Sequence, residues 1–283
     1  MMSANSKQLL SAWLKRRKLG VVVTAWGLLV AILAFSASSV TVREQLDIGD
    51  ALPRLSQAVG DVAGLMSGQE PSFAVEPLVR DDECDITPVR SGVEYSRSLK
   101  IYAGENSAPQ VAKNLRDRLA DRYDLRVAPS VDGALRYTAT LPNFVDYELS
   151  AFNGVVEWVA STGCRPVGSE AGTVVSVYDP PAESTAILGD LNVESADWSK
   201  ASVSCGDLAS SEGETHTVVA RAKLSGDARI DLSMLEARVP SDGEILVQEA
   251  DLFTYRVGDM SWAVATSDGE ITVSSTSECD AGG

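Results

Sequence analysis

The alternation of apolar and polar residues after position 92 predicts a long β-strand. Polar side chains occupy most of the alternate positions, and Gly104 ends the pattern. A strand of this kind buries one side against a core and leaves the other side polar. The apolar side carries Val93, Tyr95, Leu99, Ile101 and Ala103.

An amphipathic helix is predicted directly after this strand. Its apolar residues recur at a spacing of four, which places them on one side of a helix. Ser107, Pro109 and Gln110 supply a cap, an early proline and a capping-box partner at its start. The buried stripe consists of Val111, Leu115, Leu119 and Tyr123.

Four shorter strands follow the helix. Residues 125–128 and 134–140 flank a turn at Gly133, and residues 147–152 and 155–162 flank Asn153-Gly154. Asn-Gly is typical of two-residue hairpins. The predicted order is therefore β-α-β-β-β-β, in which one helix covers a curved antiparallel sheet.

The second half of the chain repeats this outline, and cysteine and glycine mark the repeat. Cysteines 84 and 205 each precede a glycine by eight positions, and glycines 154 and 269 each precede a cysteine by ten. Both of those later glycines close hairpin dipeptides, Asn153-Gly154 and Asp268-Gly269. A shorter helix is predicted over residues 232–239, before Pro240.

These patterns predict an α+β protein with two tandem β-α-β-β-β-β modules, each an antiparallel sheet with one helix and one disulfide. We expect module 1 over residues 76–168 and module 2 over residues 200–283. Residues 169–199 are either a linker or the leading edge of module 2.

The four cysteines predict two disulfides if the chain is exported. Four cysteines allow three connectivities. The repeat favours one of them, because a self-contained module pairs its own cysteines. We therefore expect Cys84 to pair with Cys164 and Cys205 with Cys279.

The N-terminus predicts one membrane pass. Residues 1–18 are basic and form a cytoplasmic tail, and residues 19–42, the predicted transmembrane helix, carry no charge. The basic tail favours a cytoplasmic N-terminus, so the modules would lie outside the plasma membrane. The alternative is a secreted protein that loses a signal peptide near Ala34-Phe35-Ser36.

Residues 43–75 predict a juxtamembrane amphipathic stalk. Apolar residues at spacings of four and three line one side of a helix. We expect a monomeric spacer, and the alternative is weak self-association through a short parallel coiled coil. The stripe consists of Ile48, Leu52, Leu55, Val59, Val62 and Met66.

The net charge of −16 argues against nucleic acid as a partner. Solubility outside the cell accounts for the acidic excess, and affinity for Ca²⁺ or for a basic partner is the alternative.

The chain lacks the sequence motifs of common catalytic, metal and cofactor sites. His216 is the single histidine, and the repeat places it at an inward strand position where we expect a packed side chain. We therefore predict no catalytic residue, no metal ligand and no cofactor. Four aromatic residues are candidates for a ligand surface on the sheets, although core packing or pairing across a hairpin is the favoured interpretation: Tyr147, Phe152, Phe253 and Trp262.

The segment 158–166, Trp-Val-Ala-Ser-Thr-Gly-Cys-Arg-Pro, follows a basic tail and a single anchor in this chain. In this arrangement the chain resembles uncharacterised single-pass envelope proteins of high-GC Gram-positive bacteria. The excess of arginine over lysine is compatible with a GC-rich genome. The resemblance implies location and lineage, and it implies no activity.

Together these features predict a membrane-anchored, non-catalytic binding or assembly protein of the cell envelope, which contacts an envelope protein or a wall polymer. One alternative is a regulatory or sensory subunit of a membrane complex. Another is an envelope hydrolase that uses carboxylates in a cleft between the modules.

Overall fold

The computed structural model describes residues 24–32, 48–68, 71–87, 90–130, 133–140, 145–166, 180–206, 208, 213–224 and 230–279. The chain divides into two compact units, Met1–Gln45 and Leu46–Gly283. In the first unit, helix α1 is described over residues 24–32, and the rest of the predicted membrane span lies outside the described residues. No helix among the described residues is both long enough and apolar enough to cross a membrane.

The second unit is a mixed α+β fold with two antiparallel sheets. The seven strands of the first sheet are β1 Ser72–Val75, β2 Val79–Thr87, β3 Arg90–Tyr102, β4 Arg126–Val127, β5 Leu135–Thr140, β6 Asp146–Phe152 and β7 Val155–Ser161. The six strands of the second are β8 Asp197–Ser204, β9 Glu214–Lys223, β10 Glu244–Gln248, β11 Leu252–Val257, β12 Met260–Ser267 and β13 Glu270–Ser277.

Helices precede and interrupt both sets of strands. Helix α2, Ile48–Met66, and helix α3, Ala108–Leu119, belong to the first set. Helix α4, Ala182–Asp190, and a 3₁₀ helix, Leu232–Arg238, belong to the second. Sequence reasoning found α3 and the position of the 3₁₀ helix, but it did not find α4.

The two sheets share one strand order. The first runs β3-β7-β6-β5-β4 and the second β9-β13-β12-β11-β10. On the other side of β3 the first sheet adds β1 and β2, and on the other side of β9 the second sheet adds β8. The hairpin dipeptides have positive φ at both residues, 46° and 76° at Asn153-Gly154 and 51° and 75° at Asp268-Gly269. These values match type I′ turns, so the prediction of two hairpins is confirmed.

Helices α2 and α3 cover one face of the first sheet. The predicted inward side of β3 is buried, with Leu99 and Ile101 fully enclosed. Trp158 is also fully buried, and its indole N–H donates to the carbonyl of Ala58 in α2 at 3.1 Å. The predicted cap of α3 differs, because the hydroxyl of Ser107 makes no capping hydrogen bond.

Helix α2 lies in the core, so the prediction of a spacer-like stalk at 43–75 is wrong. Leu55, Val59 and Val62 have no exposed surface. Asp61 on the same helix is fully buried and accepts hydrogen bonds from the hydroxyl of Tyr123 at 2.7 Å and from Arg122 at 3.0 Å. The apolar stripe of α2 packs within its own chain, against the first sheet, and is therefore neither an exposed spacer surface nor free for the alternative of self-association.

Helix α4 and the 3₁₀ helix cover one face of the second sheet. Ile187 and Leu188 of α4 pack with Leu232 and Leu235 of the 3₁₀ helix in this core. Residues 180–199 therefore contain α4, which packs on the second sheet, and the start of β8, which is a strand of that sheet. The preceding residues 169–179 lie outside the described part of the chain.

The remaining faces of the two sheets lie against each other. Ala74 and Tyr102 of the first sheet pack on Leu252 and Ala263 of the second. The Val75 amide also donates to the Thr217 hydroxyl at 3.0 Å. The layers of the Leu46–Gly283 unit are thus helix, sheet, sheet and helix.

Both predicted disulfides are confirmed. Cys84 is bonded to Cys164 and Cys205 to Cys279. The first bond joins β2, the neighbour of β3, to the residues just after β7. The second joins the end of β8, the neighbour of β9, to the residues just after β13.

Candidate binding cleft

A cleft of about 660 Å³ opens between the two sheets, beside the tips of the two matched hairpins. Phe152, Asn153 and Val155 line it from the first sheet, and Ser267 and Asp268 line it from the second. We call this space the inter-sheet cleft.

A buried carboxylate joins the two walls of the cleft. Glu76 is 5% exposed. It forms an ion pair with Arg221 of β9, and its Oε1 lies 3.5 Å from the Lys100 ammonium of β3. Two cations from different sheets therefore share one carboxylate, which ties the sheets together and places both cations in the lining of the cleft.

The mouth of the cleft is acidic. Asp251, Asp268 and Glu270 are exposed and contribute to the lining, and Glu157 is half-buried opposite Lys100 in the β3–β7 pair. This excess of negative charge favours ligands that carry cationic or hydrogen-bond donor groups.

Tyr102 forms an apolar and hydrogen-bonding part of the cleft wall. Burial raises the pKa of its phenol well above the ordinary value, and the nearby Glu76 charge adds to this increase. The side chain of Tyr102 is 2% exposed, so it contributes to the cleft wall mainly as a neutral, packed group.

Two of the four aromatic residues predicted as a ligand surface are core residues. Tyr147 is 4% exposed and stacks on Trp158, with ring centroids 5.5 Å apart. Phe253 is fully buried in the core between the second sheet and its helices. Both residues therefore pack in the core, which is the favoured interpretation from the sequence, because their strand positions face the helices.

The other two aromatic residues are accessible, but they belong to different surfaces. Phe152 is 49% exposed and lines the inter-sheet cleft. Trp262 is half-buried, stacks on Tyr255 at 5.0 Å and faces the helix side of the second sheet. The structure therefore does not bring the four predicted residues together.

His216 is exposed, so the expectation of a packed histidine is wrong. Its amide donates to the Ser277 hydroxyl at 3.0 Å. The equivalent residue in the first sheet, Tyr95, is buried in the core that the first sheet forms with α2 and α3.

Among the residues that the structure describes, no three histidine, cysteine, aspartate or glutamate side chains converge as metal ligands.

Sequence reasoning missed Glu76, Lys100 and Arg221. Glu76 belongs to no motif, and Lys100 and Arg221 each lie on the polar side of a strand, where the sequence carries no sign of a partner. A comparison of the two halves could have identified the faces of β3 and β9 that point away from the helices. It could not have shown that these two faces pack against each other.

No protein-family model matches the chain, and no curated protein matches it. Among solved structures, the chain is similar to the crystal structure of a DUF4853 family protein from Actinomyces odontolyticus. The two are 14% identical, with a TM-score of 0.35, and the match covers 61% of this chain and 94% of the other. At this level the similarity carries no argument about function.

Proposed function

We propose that this protein is a membrane-anchored, extracytoplasmic binding or assembly protein of the bacterial cell envelope and that it is not an enzyme. The inter-sheet cleft is its binding site, and its ligand is a segment of an envelope protein or a wall polymer. The single observation that carries the proposal is the pairing of an exposed aromatic side chain, Phe152, with a charged cleft between two disulfide-bonded sheets.

Two features support the location, the N-terminal sequence and the paired cysteines. Residues 19–42 carry no charge and follow a basic tail. Helix α1 exposes Trp26, Leu28 and Ile32 by more than half of their surface, which suits an apolar environment. All four cysteines are paired, and disulfides persist outside the cytoplasm.

The shared strand order supports a duplication. We infer that the two sheets descend from one module, which also had a helix before its first strand, as α2 and α4 show. Duplicated modules produce a site at their junction that neither has alone, and the inter-sheet cleft lies at this junction.

An envelope hydrolase remains the second candidate, because four carboxylates line the cleft. Glycoside hydrolysis needs one protonated carboxyl that is shielded from water. Asp251, Asp268 and Glu270 are exposed, so water solvates them. This solvation favours binding over catalysis.

The third candidate is a regulatory subunit of a membrane complex. It would use the same cleft and would differ in the identity of the partner.

A photo-crosslinking experiment tests the proposal. A benzophenone amino acid replaces Phe152 in the full-length chain, and cells are irradiated before their membranes are solubilised. We expect one stoichiometric adduct with an envelope protein or with wall material.

The control places the same amino acid at Val127, which is 73% exposed on edge strand β4 and does not line the cleft. Equal adducts from both positions, or none from position 152, would contradict the cleft as the binding site. If the protein were a hydrolase, the unmodified chain would release a cleaved product and the Glu157→Gln variant would not.

A further inference from the structure

Strand β10, Glu244–Gln248, forms one edge of the second sheet. An edge strand directs part of its backbone N–H and C=O groups away from its own sheet, where they can pair with another strand. Residues 230–279 are described without a gap, and among the described residues β10 pairs with β11 alone. We call the outer side of this strand the β10 edge.

The other edges of the two sheets are protected against such pairing. The far edge of the first sheet is β4, which has only 2 residues. Strand β2 has two register shifts and exposed acids at Asp81 and Asp85. Strand β8 is covered, because α2 lies against it and Arg97 donates to the carbonyl of Ser202 at 2.6 Å. Short length, bulges, charge and cover are the usual ways in which proteins prevent pairing between edges.

The β10 edge is apolar at its centre. Ile245, Leu246 and Val247 occupy the three middle positions, with Ile245 37% exposed and the other two half-buried. One bulge is present, since Ile245 pairs with Tyr255 and Val247 with Thr254, which leaves Leu246 without a partner in β11. A bulge bends a strand, so it limits any added partner to a short strand.

The sequence of β10 complements itself when two copies run antiparallel. With Leu246 opposite Leu246 of a second copy, Ile245 lies opposite Val247 and Glu244 lies opposite Gln248. Just beyond the strand, residue 249, a glutamate, lies opposite a glycine. Apolar residues therefore meet apolar residues, and no carboxylate meets another, as favourable cross-strand pairs require.

Only this register has these properties. A shift of one copy by one or two residues, in either direction, places Glu244 or Glu249 opposite an apolar residue or opposite another glutamate. The β10 sequence thus selects a single alignment with itself. This self-complementarity favours a second copy of the chain over a strand of unrelated sequence.

We propose that the β10 edge pairs with the β10 edge of a second copy, antiparallel, about a two-fold axis at Leu246. The second sheets of the two copies then form one continuous sheet. Such a contact uses the same surface on both copies and closes on itself, so it yields a dimer and no fibre. A strand of 5 residues is about 17 Å long, so the contact is short and the dimer dissociates on dilution.

Cysteine cross-linking of the purified full-length chain, in a detergent, tests the axis. The two Cα atoms at position 246 would lie about 4.5–5.5 Å apart, which is within the range of a disulfide. Leu246→Cys, oxidised with copper phenanthroline, should therefore give a dimer that a reductant dissolves. The control is Val127→Cys on edge strand β4, where the native residue is 73% exposed, and this variant should stay monomeric.

Two further variants test the register. Position 244 lies opposite position 248 of the second copy and about 14 Å from the second copy's position 244, which is too far for a disulfide. Glu244→Cys and Gln248→Cys should each give no dimer alone. A mixture of the two variants should give one.

Sedimentation equilibrium measures the association without cross-linking. We expect the unmodified chain to show a monomer–dimer equilibrium. Leu246→Lys should weaken the dimer by about tenfold, because it removes an apolar pair and places two like charges opposite each other. Val127→Lys, the same change on the other edge strand, should leave the equilibrium unchanged, and circular dichroism should show that both variants keep the fold.

Several outcomes overturn the proposal. One is a monomer over the whole concentration range, and another is equal cross-linking from positions 246 and 127. A dimer from Glu244→Cys alone that matches the yield of the mixture would contradict the register. Equal association of the two lysine variants would show that the copies meet through a different surface.

Discussion

At the scale of the residue, glycine decides how closely α2 approaches the second sheet. The Gly206 amide donates to the Gly60 carbonyl at 2.9 Å. A Cβ on Gly60 would lie 2.0 Å from the carbonyl oxygen of Ser204, and a Cβ on Gly206 would lie 2.0 Å from Oδ1 of Asp61. Neither approach tolerates a side chain, so the backbones of α2 and β8 are in direct contact.

Gly60→Ala should therefore destabilise the protein. We expect a loss of about 2 kcal/mol, the usual cost of overpacking, despite the higher helix propensity of alanine. Gly49→Ala in the same helix is the matched control, because no atom lies within 4 Å of its added Cβ. Urea unfolding should show the loss for Gly60→Ala only, and equal midpoints for both variants would contradict the close approach.

Buried tyrosines predict a loss of stability at alkaline pH. Burial raises the pKa of Tyr147 to about 12, and it also raises the pKa of Tyr123, whose hydroxyl donates to Asp61. The ordinary tyrosine pKa in an unfolded chain is about 10. Because the folded state holds these protons more tightly, their contribution is complete below pH 10 and is lost as the pH rises towards 12.

Urea midpoints measured at pH 8 and pH 11, with tyrosinate absorbance at 295 nm, check this expectation. The midpoint should fall between the two values, and Tyr147→Phe should reduce the fall because phenylalanine does not ionise. An identical fall in the variant would show that Tyr147 does not contribute.

At the scale of the element, each disulfide holds the segment after the final strand of a sheet, β7 or β13, close to β2 or β8. The bonds span 80 and 74 residues of chain. Cys279 also donates its amide to the Ser67 hydroxyl, just after α2, at 2.9 Å. The second bond therefore anchors the segment that follows β13 near the C-terminal end of α2.

Replacement of both cysteines of one bond by serine should lower the unfolding free energy by about 4 kcal/mol, because the unfolded chain gains freedom. The pairs are Cys84→Ser with Cys164→Ser, and Cys205→Ser with Cys279→Ser. Urea unfolding of each double variant measures the loss. A loss below about 1 kcal/mol in either would contradict the importance of that bond in the simple entropic account.

At the scale of the whole molecule, the contact between sheets combines an apolar patch with one ionic group. Glu76 pairs with Lys100 of the first sheet and Arg221 of the second. The carboxylate is almost fully buried, while each cation is about one-third exposed. Removal of the carboxylate would leave two cations facing each other across the junction.

Glu76→Gln should therefore destabilise the fold by about 2 kcal/mol, less than for a fully buried pair because water screens the cations. Asp124→Asn is the control, since Asp124 pairs with Arg126 where both side chains are exposed. Thermal unfolding should show a lower midpoint for Glu76→Gln and no change for Asp124→Asn. The opposite order would contradict the role of Glu76 at the junction.

Local patterns did not reveal β1, β2 or β8, but they determined β3, the strands that follow α3, the α3 stripe, the two I′ hairpins and the pairing of the cysteines. Each depends on neighbours in sequence or on the spacing of one repeat, so Val93, Leu115 and Asn153 could be placed from the chain alone. The stripe of α2 was also visible, but a periodicity does not state which surface will cover it.

Tertiary structure decided which faces meet. It placed α2 in the core, brought Lys100 and Arg221 to one carboxylate and buried Tyr147 while leaving Phe152 exposed. These outcomes depend on the packing of two sheets against each other, where the free energy comes from area removed from water by residues far apart in sequence. The same packing left His216 exposed and buried its counterpart Tyr95 in the core between the first sheet and its helices, because each depends on elements distant in the chain.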